Sequence, residues 1–304
     1  MITFLSGGTG TPKLLQGMRE HLPDTEISVV VNTAEDIWMS GNHISPDIDT
    51  VLYLYAGILD SKKWWGVHGD TFLTHKVLKD LGGEEFIAIG DRDRATHILR
   101  GAMVRRGLDL TECTRELCRL FHVQVTILPM SNTPVSTMVE TSQGTMHFQE
   151  FWVKHHGLPA VRKVYRTSEK PPAASPEVVH AIQESDAVVI GPSNPITSIM
   201  PILECKGVME ALSQQRVIAV SPFIGNRPIS GPAGALMEAW GMEPNSRGTY
   251  HLYQDVVNVF IQDIRDDIEV PNAFQYDTLM SENGKSGALA MYILEIINNF
   301  NSIH

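Results

Sequence analysis

A chain of 304 residues, 43% hydrophobic and 19% charged, is long enough to bury a substantial core and too apolar for intrinsic disorder. Its formal net charge of −11 argues against non-specific nucleic-acid or acidic-membrane partners, which need a basic field, and favours a bridging divalent cation for any phosphate ligand. Three cysteines (Cys113, Cys118, Cys205) without CxxC spacing indicate neither a disulfide framework nor a zinc site. With no signal peptide and no apolar run near the roughly 20 residues of a membrane span, the sequence reads as a soluble cytoplasmic protein.

The chain opens with ITFL, a short strand, followed by SGGTGT and a helix carrying Leu14, Leu15, Met18 and Leu22 on one face. Pro12 suits the first turn of that helix. The loop is not a Walker A motif: counting from Gly7, Pro12 takes the place of the second glycine and Leu14 follows Lys13. Nor is it G-x-G-x-x-G, because Lys13 takes the third glycine's place counting from Gly8. Three glycines still allow close backbone approach to an anion, and Thr9 and Thr11 offer hydroxyls. The loop also leaves the carboxyl end of the first strand, where open α/β sheets bind ligands. The plain alternative is a tight turn with no ligand.

A second strand, ISVVVN, ends at Asn32, where a dinucleotide site usually carries a ribose-binding acid. Thr33, Glu35 and Asp36 follow. In SPDIDT, Asp49 suits a helix cap, whereas Asp47 is surplus, and paired carboxylates beside a phosphate loop suit Mg²⁺ binding or proton abstraction. Residues 50–121 read as nearly all helical: Asp70 caps a segment ending at Gly82-Gly83, Asp93 caps one ending at Gly107, and Thr111 starts a third. GDRDRATH leaves Asp91, Arg92 and His97 as polar groups beside a turn. The tryptophans Trp64 and Trp65 suit either core packing or stacking on a flat ligand.

HVQVTIL is then a strand, and VSTMVE and TMHFQEFWV form an antiparallel hairpin across TSQG. His155-His156 is discounted as a metal pair, since neighbours on a strand face opposite ways. TSEKPPAASP is a surface connector, and Ser175-Pro176-Glu177 opens a helix. The βα alternation resumes with strands AVVIG and RVIAV and helices GALMEAW and SGALAMYILEIINNF. GPSNP puts Ser193 and Asn194 at a strand's carboxyl end, and SPFIGNRPISGPAG carries Arg227, a candidate phosphate clamp. The expected fold is α/β: a doubly wound, Rossmann-like parallel sheet in three α/β/α layers. One unit is expected, with a nucleotide-binding core over 1–45 and 122–304, a helical insert over 46–121 and a β-hairpin over 135–154.

SGGTGTPKLLQGM, VVNTAEDIWMSGNHISPDIDTVLYLYAG, IGDRDRATHILR, IGPSNPITSIMPIL and VSPFIGNRPISGPAG occur in this order. On these segments the chain resembles the 2-phospho-L-lactate transferase (CofD) family of coenzyme F-420 biosynthesis, from residue 1 to the C-terminal helix. The resemblance implies transfer of a phospholactyl group from lactyl-diphospho-guanosine to the ribityl hydroxyl of the deazaflavin Fo, with GMP released, Mg²⁺ required and a homodimer as the assembly. It implies that Gly7, Gly8, Thr9 and Gly10 hold the diphosphate, and that Asn32, Thr33, Ser193 and Asn194 hold guanosine. Asp49 is the expected catalytic residue, with Asp36 and Asp49 at the metal and Asp49, Ala88, Asp91 and His97 at Fo. Ala88 departs from the basic residue frequent in the family, and Asn226 stands where glycine is frequent. A regulatory protein like the bacterial gluconeogenesis-factor family is the rival reading, disfavoured by AEDIWMSGN in place of ADDGGSSG and by GDRD-x-ATH. An NAD-dependent oxidoreductase is disfavoured by Asn32 and the broken glycine pattern.

Overall fold

The protein is described from a computed structural model, which covers all residues except 226, 230, 269, 281–283 and 301–304; the Asn226 departure therefore lies outside the described residues. Short, continuously apolar segments form strands covered on both faces. These are β1 (Ile2–Ser6), β2 (Ile27–Val31), β3 (Thr126–Pro129), β4 (Ala187–Ile190), β5 (Val217–Val220), β6 (Val259–Asp263) and β7 (Phe274–Tyr276). They make one seven-stranded sheet in the order β7-β6-β5-β4-β1-β2-β3, parallel throughout. This is the doubly wound arrangement expected, extended by one edge strand. The last two strands were not foreseen, although VVNVFIQD is an apolar run.

The pleat divides the core. Phe4, Val29, Val31 and Val189 face a layer built from helix α1 (Gly10–Met18), helix α2 (Pro46–Tyr55) and the C-terminal helix Lys285–Asn298. Leu5, Val30, Val188 and Ile190 face the opposite layer, with Val178, Ile182, Val208 and Leu212. Ser175 caps its helix as expected, accepting from the Val178 amide.

The insert adds helices α3 (Leu73–Asp80), α4 (Asp91–Arg105) and α5 (Leu110–Leu120). Their caps differ from the expectation. Asp70 does not cap α3; its carboxylate accepts from the Arg92 and Asp93 amides at the start of α4. Asp91 returns the contact, accepting from the Leu73 and Thr74 amides of α3. The two helices thus cap each other, which linear spacing cannot reveal. Asp93 is free of capping duty, and α5 is capped by Asp109 in a capping box with Glu112 rather than started by Thr111.

The expected hairpin is part of a three-stranded antiparallel sheet, with Ser136–Thr141 between Gly144–His147 and Val161–Thr167. Its second strand stops at His147. Phe148 and Phe151, three residues apart, are both buried, and that spacing belongs to the helical turn Glu150–Lys154. A further hairpin, Ile37–Met39 with Asn42–Ile44, turns at Ser40 and Gly41, both left-handed.

The sheet's topological switch lies between β1 and β4, and the two loops leaving their carboxyl ends are in direct contact. A Cβ on Gly10 would lie 1.8 Å from the Pro192 carbonyl oxygen, so only glycine fits. The Ser193 hydroxyl donates to the Gly7 carbonyl and stands 2.6 Å from Thr11 Oγ1. Gly10→Ala is expected to destabilise the fold by about 2–3 kcal/mol through overpacking, read as a lower urea midpoint; an unchanged midpoint contradicts this loop contact.

Candidate active site

The phosphate-type loop is bound to its surroundings by side chains. The Gly8 amide donates to Asp47 Oδ1 at 2.8 Å, and the Asn32 amide donates to Asp47 Oδ2 at 2.8 Å. Asn32 Oδ1 accepts from the Ala34 amide. Asn32 is fully buried, and its side-chain polar atoms are engaged by Asp47 and the Ala34 amide. The Gly7 and Thr11 amides point at Ser193 Oγ, at 3.4 and 3.3 Å. Asn194 Oδ1 accepts from the Ile196 and Thr197 amides, leaving its amide end for a ligand. Thr9, Gly10 and Asn194 line a small cavity of about 40 Å³ on the β4–β6 side, together with Lys13 and Pro222.

Three acids crowd the β2 side of this loop. Glu35 and Asp47 are buried and Asp36 is half-buried. Burial, with Asp47 and Asp36 nearby, pushes the Glu35 carboxyl well above its ordinary range despite the Thr197 hydroxyl and Arg166. Burial likewise raises Asp36 well above normal, against the Ser45 hydrogen bond and Arg100. Burial raises Asp47 to about 6, held back by Asn32 and the Gly8 amide. Asp36 Oδ2 is a buried oxygen with no hydrogen-bond partner among the described residues.

A second cavity, of about 310 Å³, opens beside Asp36 at the carboxyl ends of β2 and β3. Thr33, Trp38, His43, Asn132, Ser136 and His147 contribute to its walls. Buried His43 Nδ1 and His147 Nε2, like Asp36 Oδ2, have no hydrogen-bond partner among the described residues. A roomy cavity with unpaired polar atoms in its wall and an exposed indole at its rim suits a flat, partly polar ligand.

Asp49 lies behind this cavity. Arg100, which is fully buried, engages both of its oxygens. His97 Nε2 stands 3.2 Å from Asp49 and 3.2 Å from Asp93, and the Tyr53 hydroxyl donates to Asp93 at 2.8 Å. Burial opposes ionisation of Asp49, but Arg100 and His97 hold its carboxyl down to about 2. Burial would depress His97, yet the two carboxylates lift it to about 9. Asp49, Asp93 and His97 bring metal-ligand-type atoms within 4.8 Å of one another. A guanidinium and an imidazolium already supply the positive charge there, so the cluster is an ion-pair network in physical character.

Among the sequence-derived candidates, the structure gathers Gly7, Gly8, Thr9, Gly10, Asn32, Thr33, Asp36, Ser193 and Asn194 around the switch point, with Asp49 and His97 behind them. Ala88 is exposed on the segment before α4, and Asp91 is spent on the start of α3; neither lines the two cavities. Arg227 is exposed and lines neither. Arg100, Lys13, His43 and His147 went unnoticed as site residues. Arg100 was within reach, since it follows Asp93 and His97 at seven and three residues on one helical face. The histidines come from separate segments that only the fold unites.

Arg100→Ala should cost about 3–5 kcal/mol, the usual effect of breaking a buried ion pair, measured by chemical unfolding. His97 has a raised folded pKa, so its contribution is complete below its ordinary 6.5 and lost as pH climbs toward about 9. Stability should therefore fall across that interval, and the fall should be shallower in His97→Gln; parallel pH profiles would show that the imidazole does not bind its proton through these carboxylates.

Comparison with known proteins bears on this arrangement. A model of the family described as 2-phospho-L-lactate transferase CofD matches residues 2–286. The chain is 55% identical over 280 residues to the 2-phospho-L-lactate transferase of Methanospirillum hungatei JF-1, covering 92% of this chain and 94% of that protein. It is 53% identical over 298 residues to that of Methanocorpusculum labreanum, covering 97% and 98%. A solved structure of a UPF0052-family protein from Bacillus halodurans shares the fold, with a TM-score of 0.63 at 16% identity over 96% of this chain and 98% of that one. No described helix is long and apolar enough to cross a membrane. With half its residues identical to these relatives over nearly its whole length, the chain belongs to the 2-phospho-L-lactate transferase (CofD) family and is a transferase of the F-420 pathway.

Proposed function

We propose that the protein moves a 2-phospholactyl group from lactyl-diphospho-guanosine to the ribityl hydroxyl of Fo, releasing GMP. The observation that carries this reading is the placement of two cavities on either side of one acid cluster at the switch point of the sheet. The donor's guanosine belongs on the Asn194 and Lys13 side, and Fo in the larger cavity beside Trp38 and His43. The diphosphate then spans the Thr9–Gly10 turn, with the lactyl-bearing phosphorus next to Asp36 and Asp47. Thr33, expected at guanosine, falls on the acceptor side in this arrangement.

The residues present fit Mg²⁺. Asp36 offers a buried oxygen that makes no hydrogen bond and stands 3.7 Å from His43 Nε2, and Glu35 and Asp47 are further oxygen donors, the ligand class this hard cation takes. Asp36 and Asp47 would hold it; Asp49, with both oxygens engaged by Arg100, anchors the wall behind them. When bound, the ion neutralises charge on the phosphates. The acceptor hydroxyl oxygen attacks the lactyl-bearing phosphorus, a new P–O bond forms, the P–O bond to the GMP phosphate breaks, and the hydroxyl proton passes to a carboxylate of the acid cluster. Trp38 and the walls of the larger cavity exclude water, which otherwise competes with Fo for the phosphorus.

Incubation with Fo, Mg²⁺ and candidate guanosine diphospho-acids should release GMP only when Fo is present, and chelation should abolish the release. Asp36→Asn should lower turnover by roughly 10²-fold or more, as loss of a group that organises transition-state charge does. Absence of GMP release with every donor rejects the reading.

A further inference from the structure

Phosphate transfer leaves negative charge on the departing GMP, and the acid cluster cannot meet it. Among the described residues lining the two cavities, Lys13 is the only lysine or arginine. It sits in the first turns of α1, beyond Thr9 and Gly10, and faces the cavity shared with Asn194. Its ammonium makes no ion pair with a described carboxylate, and burial depresses its pKa. Its one described partner is the Trp64 ring, with Nζ 5.4 Å from the centroid.

Trp64 is itself held in an uncommon state. Its φ is +61°, in the left-handed region that bulky side chains avoid. The turn around it enforces this: the Trp64 amide donates to the Asp60 carbonyl at 2.8 Å, and the Asp60 amide to the Gly66 carbonyl at 3.0 Å. The Asp60 carboxylate accepts from the Lys62 amide at 3.0 Å. A bulky residue kept at such an angle by its surroundings marks a place where position matters more than local ease. Here the strained residue brings an aromatic face from the helical insert against the one cation at the nucleotide cavity.

We propose that Lys13 grips the guanosine-side phosphate of the donor, with Trp64 as the positioning residue that aims its ammonium. This rests on the reading of the small cavity as the guanosine side. The two phosphates are then served by different charges: the transferred one by the acid cluster with its metal, the leaving one by Lys13. Trp64, open in the sequence between core packing and stacking on a flat ligand, takes a third role.

Calorimetric titration with GDP and Mg²⁺ tests the assignment. Lys13→Met should weaken GDP binding by roughly 10- to 100-fold, the usual worth of a charged hydrogen bond, with guanosine binding unchanged and Lys13→Arg retaining most of the affinity. Trp64→Leu should weaken GDP binding several-fold without lowering the melting temperature, and Trp64→Phe should restore it. Wild-type binding undiminished in Lys13→Met overturns the role of Lys13. Equal loss in Trp64→Leu and Trp64→Phe overturns the aiming role of Trp64. A wild-type protein that binds no GDP overturns the guanosine site itself, and this inference with it.

Discussion

The carboxyl edge of the sheet depends on the contact between the loops that leave β1 and β4. Those strands are neighbours, and the chain departs from them toward opposite faces, so a crevice must open between the two loops. Here the crevice is drawn nearly shut at its floor. Gly10 lies against the Pro192 carbonyl with no room for a methyl group, and the Ser193 hydroxyl ties Gly7 to Thr11. What remains open lies to either side, as two separate cavities. The departures from both familiar glycine patterns follow from the same contact, since the loop is shaped to meet a second loop as well as a ligand.

Electrostatics then divides the acids that crowd this edge. Asp47 and Asp49 are two residues apart on the same helical turn and both buried, yet they are pushed in opposite directions, to about 6 and about 2. The difference is their partners. Asp49 meets a buried guanidinium and an imidazolium, whereas Asp47 meets only neutral amides and other acids. Neighbouring carboxyls tuned apart by their surroundings commonly take different tasks. Here Asp49 is anchored by its ion pairs, and Asp36 and Asp47 are the acids proposed to hold the cation.

Much of this was readable in the chain. The β1 strand, the loop, α1, the GPSNP turn and the two central strands β4 and β5 follow from local periodicity and glycine placement, and local rules act within a few residues. The caps of α3 and α4 were read incorrectly because Asp70 and Asp91 each serve the other's helix, an exchange created by tertiary packing. TMHFQEFWV has enough β-branched and aromatic character for a strand, but burial of Phe148 and Phe151 together decides for a helical turn. The larger of the two cavities was out of reach for a related reason. Its polar atoms come from the 36–43 hairpin, the 131–136 segment and His147, and no single segment carries a recognisable pattern.

The proposed reaction places donor and acceptor on opposite sides of the Asp36–Asp47 cluster. A crystal structure with GDP, Mn²⁺ and Fo measures this most directly. The metal is expected on Asp36 and Asp47, the guanine beside Asn194 on the β4–β6 side, and the deazaflavin against Trp38. Guanine in the Trp38 cavity, or a metal seated between Asp49, Asp93 and His97, would contradict it.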